Sequence, residues 1–172
     1  MSMGYIHGAA IRTNGTLWTW GYNLDGPLGQ NNTTSRSSPV QVGSLSDWAY
    51  VAAGGRTTHA VKTDGTLWAW GANGSGHLGD NTLISRSSPV QIGALTNWLR
   101  ISTTKLFDFS PPERAVAVKT DGTLWAWGKN SYGAIGDGTT VNRSSPVQVG
   151  ALTTWREVSA FGNSSLALLG VI

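Results

Sequence analysis

The sequence predicts an all-β protein made of three tandem four-stranded units, stacked as blades of an incomplete propeller, with a final partial unit. Three observations carry this. The string Gly65-Thr66-Leu67-Trp68-Ala69-Trp70-Gly71 returns unchanged at Gly122 to Gly128 and with one change at Gly15 to Gly21. The string Arg-Ser-Ser-Pro-Val-Gln stands at Arg36 to Gln41, Arg86 to Gln91 and Arg143 to Gln148, with Trp48, Trp98 and Trp155 following in the same phase. No window shows a sustained helical period, and the 23 glycines work against one.

Repetition fixes the organisation. Gly15, Gly65 and Gly122 stand 50 and 57 residues apart, and the longer interval places an insertion at Thr104 to Ser110. The units read as about 1–50, 51–107 and 108–157, with 158–172 as the partial unit, all in one repeat domain. Gly4 to Thr13, Gly54 to Thr63, Pro111 to Thr120 and Phe161 to Gly170 are equivalent stretches.

Within a unit, Pro39 to Val42, Trp48 to Ala52, His59 to Lys62 and Thr66 to Trp70 read as short strands. Thr63-Asp64-Gly65 joins the last two as a hairpin, because glycine takes positive φ without steric cost. Alternation puts Trp68 and Trp70 on one face and Leu67 and Ala69 on the other. Both faces are apolar, so the strand is expected to be covered on both sides.

The chain has 172 residues and a net charge of +3, with 12 % charged residues. Its basic residues, such as Arg12, Lys62 and Lys119, are spread at repeat intervals, unlike the basic stripe of a nucleic-acid surface. No nucleic-acid partner is expected. With no cysteine, disulfides, thiolate chemistry and Cys-based zinc sites are excluded. No apolar run reaches membrane-span length. Met1 to His7 lacks the basic-then-apolar pattern of a secretory signal, and no compartment is assigned.

These motifs resemble the repeats of the RCC1 family, named after the regulator of chromosome condensation. The resemblance rests on Thr63-Asp64-Gly65, Trp70-Gly71, Asn73-Gly74-Ser75-Gly76-His77-Leu78-Gly79 and Pro89-Val90, recurring in order in each unit. It implies an RCC1-like β-propeller, and the Leu-Trp-Ala-Trp-Gly and Arg-Ser-Ser-Pro-Val-Gln strings look like its bacterial and viral branch. Family propellers close with about seven blades; three cannot close a ring. The family's histidine is His7, replaced by Thr57 and Ser164 in other copies, and Pro111-Pro112 stands where another copy has Gly54-Gly55. No position here carries over the founding member's nucleotide-exchange activity.

Chemistry-bearing patterns are sparse. Gly74-Ser75-Gly76-His77-Leu78-Gly79 matches a phosphate-binding glycine pattern, but no helix follows and the copies have Leu24 and Ser131 at Gly74. It reads as a repeat turn. Asp25, Asp80 and Asp137 lack the alternate-position partners of a calcium loop and read as turn caps. His7, His59 and His77 occupy different repeat phases, so no zinc set forms, and no cofactor is expected. An enzyme is not expected.

Trp20, Trp70 and Trp127 read as inter-blade core, and Gly21, Gly71 and Gly128 as structural corner residues. Arg36, Arg86 and Arg143 read as structural, bonding carbonyls of a neighbouring loop. Candidate partner-binding residues are Trp18, Trp68 and Trp125, nearer a surface, together with Lys105, Phe107 and Phe109 of the insertion. The insertion either binds or covers an exposed end of the array. The expected function is a non-enzymatic structural or protein-interaction module, a subunit of a larger assembly such as a phage virion (decoration, tail or fibre-associated). The alternative is a stand-alone module binding a surface or carbohydrate.

Overall fold

The computed structural model describes residues 1–105, 113–161 and 164–169. Three four-stranded antiparallel sheets follow one another along the chain. The first holds β1 (Ser2–Met3), β2 (His7–Ile11), β3 (Leu17–Gly21) and β4 (Arg36–Gln41). The second holds β5 (Trp48–Ala53), β6 (Thr57–Lys62), β7 (Leu67–Gly71) and β8 (Arg86–Gln91). The third holds β9 (Trp98–Thr103), β10 (Arg114–Lys119), β11 (Leu124–Gly128) and β12 (Arg143–Gln148). β13 (Trp155–Phe161) and β14 (Ser164–Leu169) form a two-stranded sheet.

Strand order follows chain order in every sheet, and the opening strands β1, β5, β9 and β13 neighbour one another. The sheets therefore fan outward from their opening strands as an open propeller arc. A tandem repeat has no intrinsic starting point. Hydrogen bonding starts each full unit at its opening strand, so the division at 50/51 falls inside β5. The outermost strand begins at Arg36 rather than Pro39, because Arg36 pairs with Gly21 across the ladder.

Each sheet presents one face to each neighbour, as the alternation requires. Leu17, Val42 and Ala9 of the first sheet meet Trp48, Ala60 and Trp70 of the second. Leu67, Ala69 and Ile92 of the second meet Trp98, Ala115 and Trp127 of the third. Val116, Ala126 and Ile135 of the third meet Ala160 and Val158 of β13.

The hairpin turns carry their own wiring. Asp64 Oδ1 accepts from the Thr66 backbone N–H at 2.9 Å and from Thr66 Oγ1 at 2.7 Å, while Gly65 sits at φ 78°. This is the local Asx pattern that makes Asp-Gly a turn. In all three full sheets, the ladder to the outermost strand shifts register at the second tryptophan of β3, β7 or β11. Such a bulge re-aims a side chain out of the regular pleat. The glycine that follows takes φ of 106–110° and lies against the start of the preceding strand: Gly71 faces Thr57 Cα at 2.8 Å from an added Cβ.

Candidate functional site

The long loops after β3, β7 and β11 form one rim of the arc, and each is built around a buried asparagine. Asn73 Nδ2 donates to Thr82 O at 3.0 Å, Ile84 O at 3.2 Å and Asp80 Oδ1 at 3.0 Å, while its Oδ1 accepts from Leu78 N at 3.0 Å. Asn130 repeats this with Thr139 O, Val141 O, Asp137 Oδ1 and Ile135 N. Asn23 does so with Asn32 O, Thr34 O and Leu28 N. One side-chain amide thus satisfies backbone groups that would otherwise be buried without partners.

The repeated arginines do a different job from the one expected. Arg86 Nε and Nη2 both lie 3.0 Å from Asp80 Oδ2, and Arg143 Nε lies 2.7 Å from Asp137 Oδ2. They pair with carboxylates of their own loops, because the loop turns Asp80 and Asp137 back toward the outermost strand. Asp80 and Asp137 also cap their turns through Thr82 and Thr139. Against the desolvation that would raise it, Thr139 and Arg143 hold the Asp137 carboxyl down at about 2. In the first sheet Gln30 stands in the aspartate's place and bonds to Gln41 O at 3.1 Å, so Arg36 Nε is buried without a partner.

From this rim each loop reaches onto the next sheet. Trp70 Nε1 donates to Pro27 O at 2.8 Å, and Trp127 Nε1 to His77 O at 3.1 Å. Asn31 N donates to Ser87 O at 2.8 Å, and Asn81 N to Ser144 O at 2.7 Å. Gly26 and Gly76 lie so close to Ser87 and Ser144 that an added Cβ would sit 2.7 and 2.6 Å from their Cα atoms. Trp70 and Trp127 are fully buried in these joints. Trp20, expected to be core with them, is only partly buried: no sheet among the described residues covers its outer face, and it lies over Gly8.

The opposite rim carries a ladder of cations over indoles. Lys119 Nζ lies 3.6 Å from the Trp125 ring and 4.8 Å from Trp98; Lys62 lies 4.6 Å from Trp68 and 5.2 Å from Trp48. Arg12 lies 5.7 Å from Trp18. Trp18, Trp68 and Trp125 are half-buried, each with Nε1 bonded to the threonine two residues before it. Trp68 also lines a groove of about 570 Å³ between the first two sheets, with Gln30, Gln41, Leu45, Trp48 and Pro89. Lys105 is exposed, and Phe107 and Phe109 lie outside the described residues.

Among the described residues, one charged cluster joins three sheets. Arg56 Nη1 lies 3.5 Å from Asp25 Oδ2, Arg56 Nε 3.4 Å from Glu113 Oε1, and Glu113 Oε2 2.9 Å from His77 Nε2, off the line of a straight N–H···O bond. Burial pushes Glu113 up, but His77 and Arg56 outweigh it and its carboxyl lies below the usual range. These groups hold loops together across sheet boundaries; among the described residues, no group of three or more His, Cys, Asp or Glu could hold a metal ion. Sequence reasoning missed the asparagines and Glu113. The asparagines recur two residues after the Trp-Gly corner, at Asn23, Asn73 and Asn130, and the repeat could have found them. Glu113 has Ile6 and Arg56 as its counterparts, so repetition gives no signal for it.

Sheets fanned around shared opening strands, with loops clasping each following sheet, define a β-propeller repeat protein. The model of the regulator of chromosome condensation (RCC1) repeat matches residues 14–61, 64–103 and 121–168, and the chain belongs to this family. It is similar to the Ultraviolet-B receptor UVR8 of Arabidopsis thaliana, 28 % identical over 152 residues, which is 87 % of this chain and 33 % of the receptor. A Caenorhabditis elegans homolog of the X-linked retinitis pigmentosa GTPase regulator is 40 % identical over 62 residues, 35 % of this chain and 4 % of that protein. The chain thus spans a third or less of these relatives' length. Among solved structures, Prp20p of Saccharomyces cerevisiae, described with its binding to Gsp1p and histones, superposes with a TM-score of 0.79 at 18 % identity. That match covers 96 % of this chain and 41 % of Prp20p. Human WBSCR16 gives 0.58 at 18 % identity, covering 98 % and 57 %.

Proposed function

We propose that this chain is a non-enzymatic protein-interaction module whose loop rim meets a protein partner. One observation carries the reading. The polar side chains of the loops are spent on holding them in shape, while the loop tips expose large apolar groups: Leu83 at 62 %, Ile84 at 61 %, Val141 at 58 % and Tyr132 at 77 %. Exposed apolar groups gathered on ordered loops favour a protein partner over bulk water. Prp20p, described as binding Gsp1p and histones, is a relative in fold that supports the same class of activity. The test is capture of cross-linked partners by the tagged chain and by a Leu83→Ser/Ile84→Ser variant. Loss of a specific partner with an unchanged melting temperature supports the reading, and equal capture contradicts it.

The finer form of this proposal is a subunit of a larger assembly, a phage virion component of the bacterial and viral branch of the family. The open arc, which presents sheet faces for continuation, supports it. Mass spectrometry of purified virions checks it, and absence of the chain from them would remove it. The groove beside Trp68 supports a second reading, carbohydrate binding. Its lining residues carry amides and indoles and no charged side chain, which suits a neutral ligand. A glycan array without hits contradicts that reading.

A further inference from the structure

Each full sheet begins its outermost strand with an arginine, and two of these arginines hold a carboxylate of their own loop. Asp80 Oδ2 lies 3.0 Å from both Arg86 Nε and Arg86 Nη2, while its Oδ1 accepts from the Asn73 amide and the Thr82 hydroxyl. Asp137 takes the same place among Arg143, Asn130 and Thr139. In the first sheet this position belongs to the neutral Gln30. Gln30 spends its amide nitrogen on Gln41 O at 3.1 Å and Thr19 Oγ1 at 3.4 Å.

The loop keeps its shape without the carboxylate. Asn32 Oδ1 caps Thr34 N at 2.9 Å, Asn32 Nδ2 donates to Gln30 O at 2.9 Å, and Asn23 holds the loop from inside as its counterparts do. The residue left changed is Arg36. Among the described residues its side chain has no ion pair and no hydrogen bond, and its Nε is buried without an acceptor. Arg36 is nonetheless partly exposed, so the end of the guanidinium is open to solvent. A buried N–H without an acceptor is costly, and a carboxylate is the acceptor that the guanidinium fork fits.

A second feature is peculiar to the same sheet. Arg36 pairs across the ladder with Gly21, and the next residue, Tyr22, is exposed. Its counterparts are Ala72, which is buried, and Lys129. Leu24 of the same loop is exposed as well. Tyrosine and arginine are the residue types enriched where protein interfaces hold most strongly. A small free anion has no use for the apolar surface of Tyr22 and Leu24, whereas a peptide segment does.

We propose that Arg36 is a carboxylate-binding site, filled by an aspartate or glutamate side chain of a protein partner that lies against Tyr22 and meets the guanidinium as Asp80 meets Arg86. The proposal rests on the interaction-module reading and names the partner's chemistry, an acidic segment with apolar flanks.

The experiment is an NMR titration that follows the amide signals of residues 21–37 and the Arg36 Nε–H. The probes are the blocked peptide acetyl-Leu-Asp-Leu-amide, its Asn analogue and sodium acetate, all at one ionic strength. The Asp peptide should shift these signals saturably, the Asn peptide should not, and acetate should bind more weakly than the Asp peptide. Arg36→Gln should weaken the Asp peptide about fivefold or more. Gln30→Asp supplies the carboxylate from within the chain, so it should keep the circular dichroism, raise the melting temperature and weaken the peptide by a similar factor. Equal shifts with the Asp and Asn peptides, no saturable shift at millimolar peptide, or undiminished binding to folded Gln30→Asp would each overturn the proposal. Acetate binding as tightly as the peptide would also overturn it, because the site would then serve small anions and not a partner's side chain. The substitutions Leu83→Ser and Ile84→Ser lie in the loop of the second sheet, so their result judges the broader reading separately.

Discussion

Trp20, Trp70 and Trp127 sit in near-identical stretches of sequence and in different surroundings. Two are fully buried and bonded to a carbonyl of the preceding loop; the third is partly exposed. Gly71 follows one of them at φ 110° and abuts Thr57. Valine there meets both a left-handed backbone and the neighbouring strand, so Gly71→Val should destabilise by at least about 2 kcal/mol. Denaturant unfolding checks it, and an unchanged midpoint would refute this account of the corner. Gln30→Asp should have the opposite sign. It gives Arg36 the carboxylate that Arg86 and Arg143 have, and should stabilise by about 0.5–1 kcal/mol, since Arg36 is partly exposed to solvent. Equal or lower stability in the same assay contradicts it. Burial lowers the pKa of His7 to about 4 and that of His59 to about 3, from 6.5. The unfolded chain therefore binds these protons first, and the stability they contribute is complete above pH 6.5 and is lost as pH falls toward 4 and below. Between pH 6 and 5 the pair should cost roughly 2 kcal/mol. Stability that is flat across that window would show that these imidazoles are not buried as described.

Among the elements, the loops were the hardest to read and the strands the easiest. Leu67 to Trp70 was legible as a strand because alternation and the Asp64-Gly65 turn agree on it. The Trp-Gly corner marked where the strand ends. What the pattern could not show was that Asn73 holds the following loop from inside, since an Asn-Gly pair reads first as an exposed turn. The buried amide makes four bonds to protein groups. Asn73→Ala should cost about 3 kcal/mol and make the 72–85 loop the first site of limited proteolysis. Cleavage elsewhere first would count against the amide as the loop's organiser. The arginine strings were equally visible, but their partners were not, because Asp80 and Asp137 lie six residues upstream across a turn whose path the spacing does not fix.

For the whole molecule, repetition made the arc legible and left its ends obscure. Equal strings recurring in order say that each sheet packs on the next; they do not say how far each copy is covered. That distinction lives in exposure, at Trp20 against the buried Trp70 and Trp127, and no local pattern encodes it. Glu113 is the same kind of feature. It stands once, outside the repeat, and ties His77 and Arg56 across sheets. The molecule is therefore best understood as sheets clasped by repeated joints, two of which hold Trp70 and Trp127.

The most direct test of that account is hydrogen exchange at the nine indole N–H groups, followed by NMR. Trp70 and Trp127 should be protected, because they are buried and bonded to Pro27 O and His77 O. Trp20, partly exposed and met by no carbonyl among the described residues, should exchange faster than both. Protection of Trp20 equal to theirs, or fast exchange of Trp70 and Trp127, would contradict the joint on which the whole reading rests.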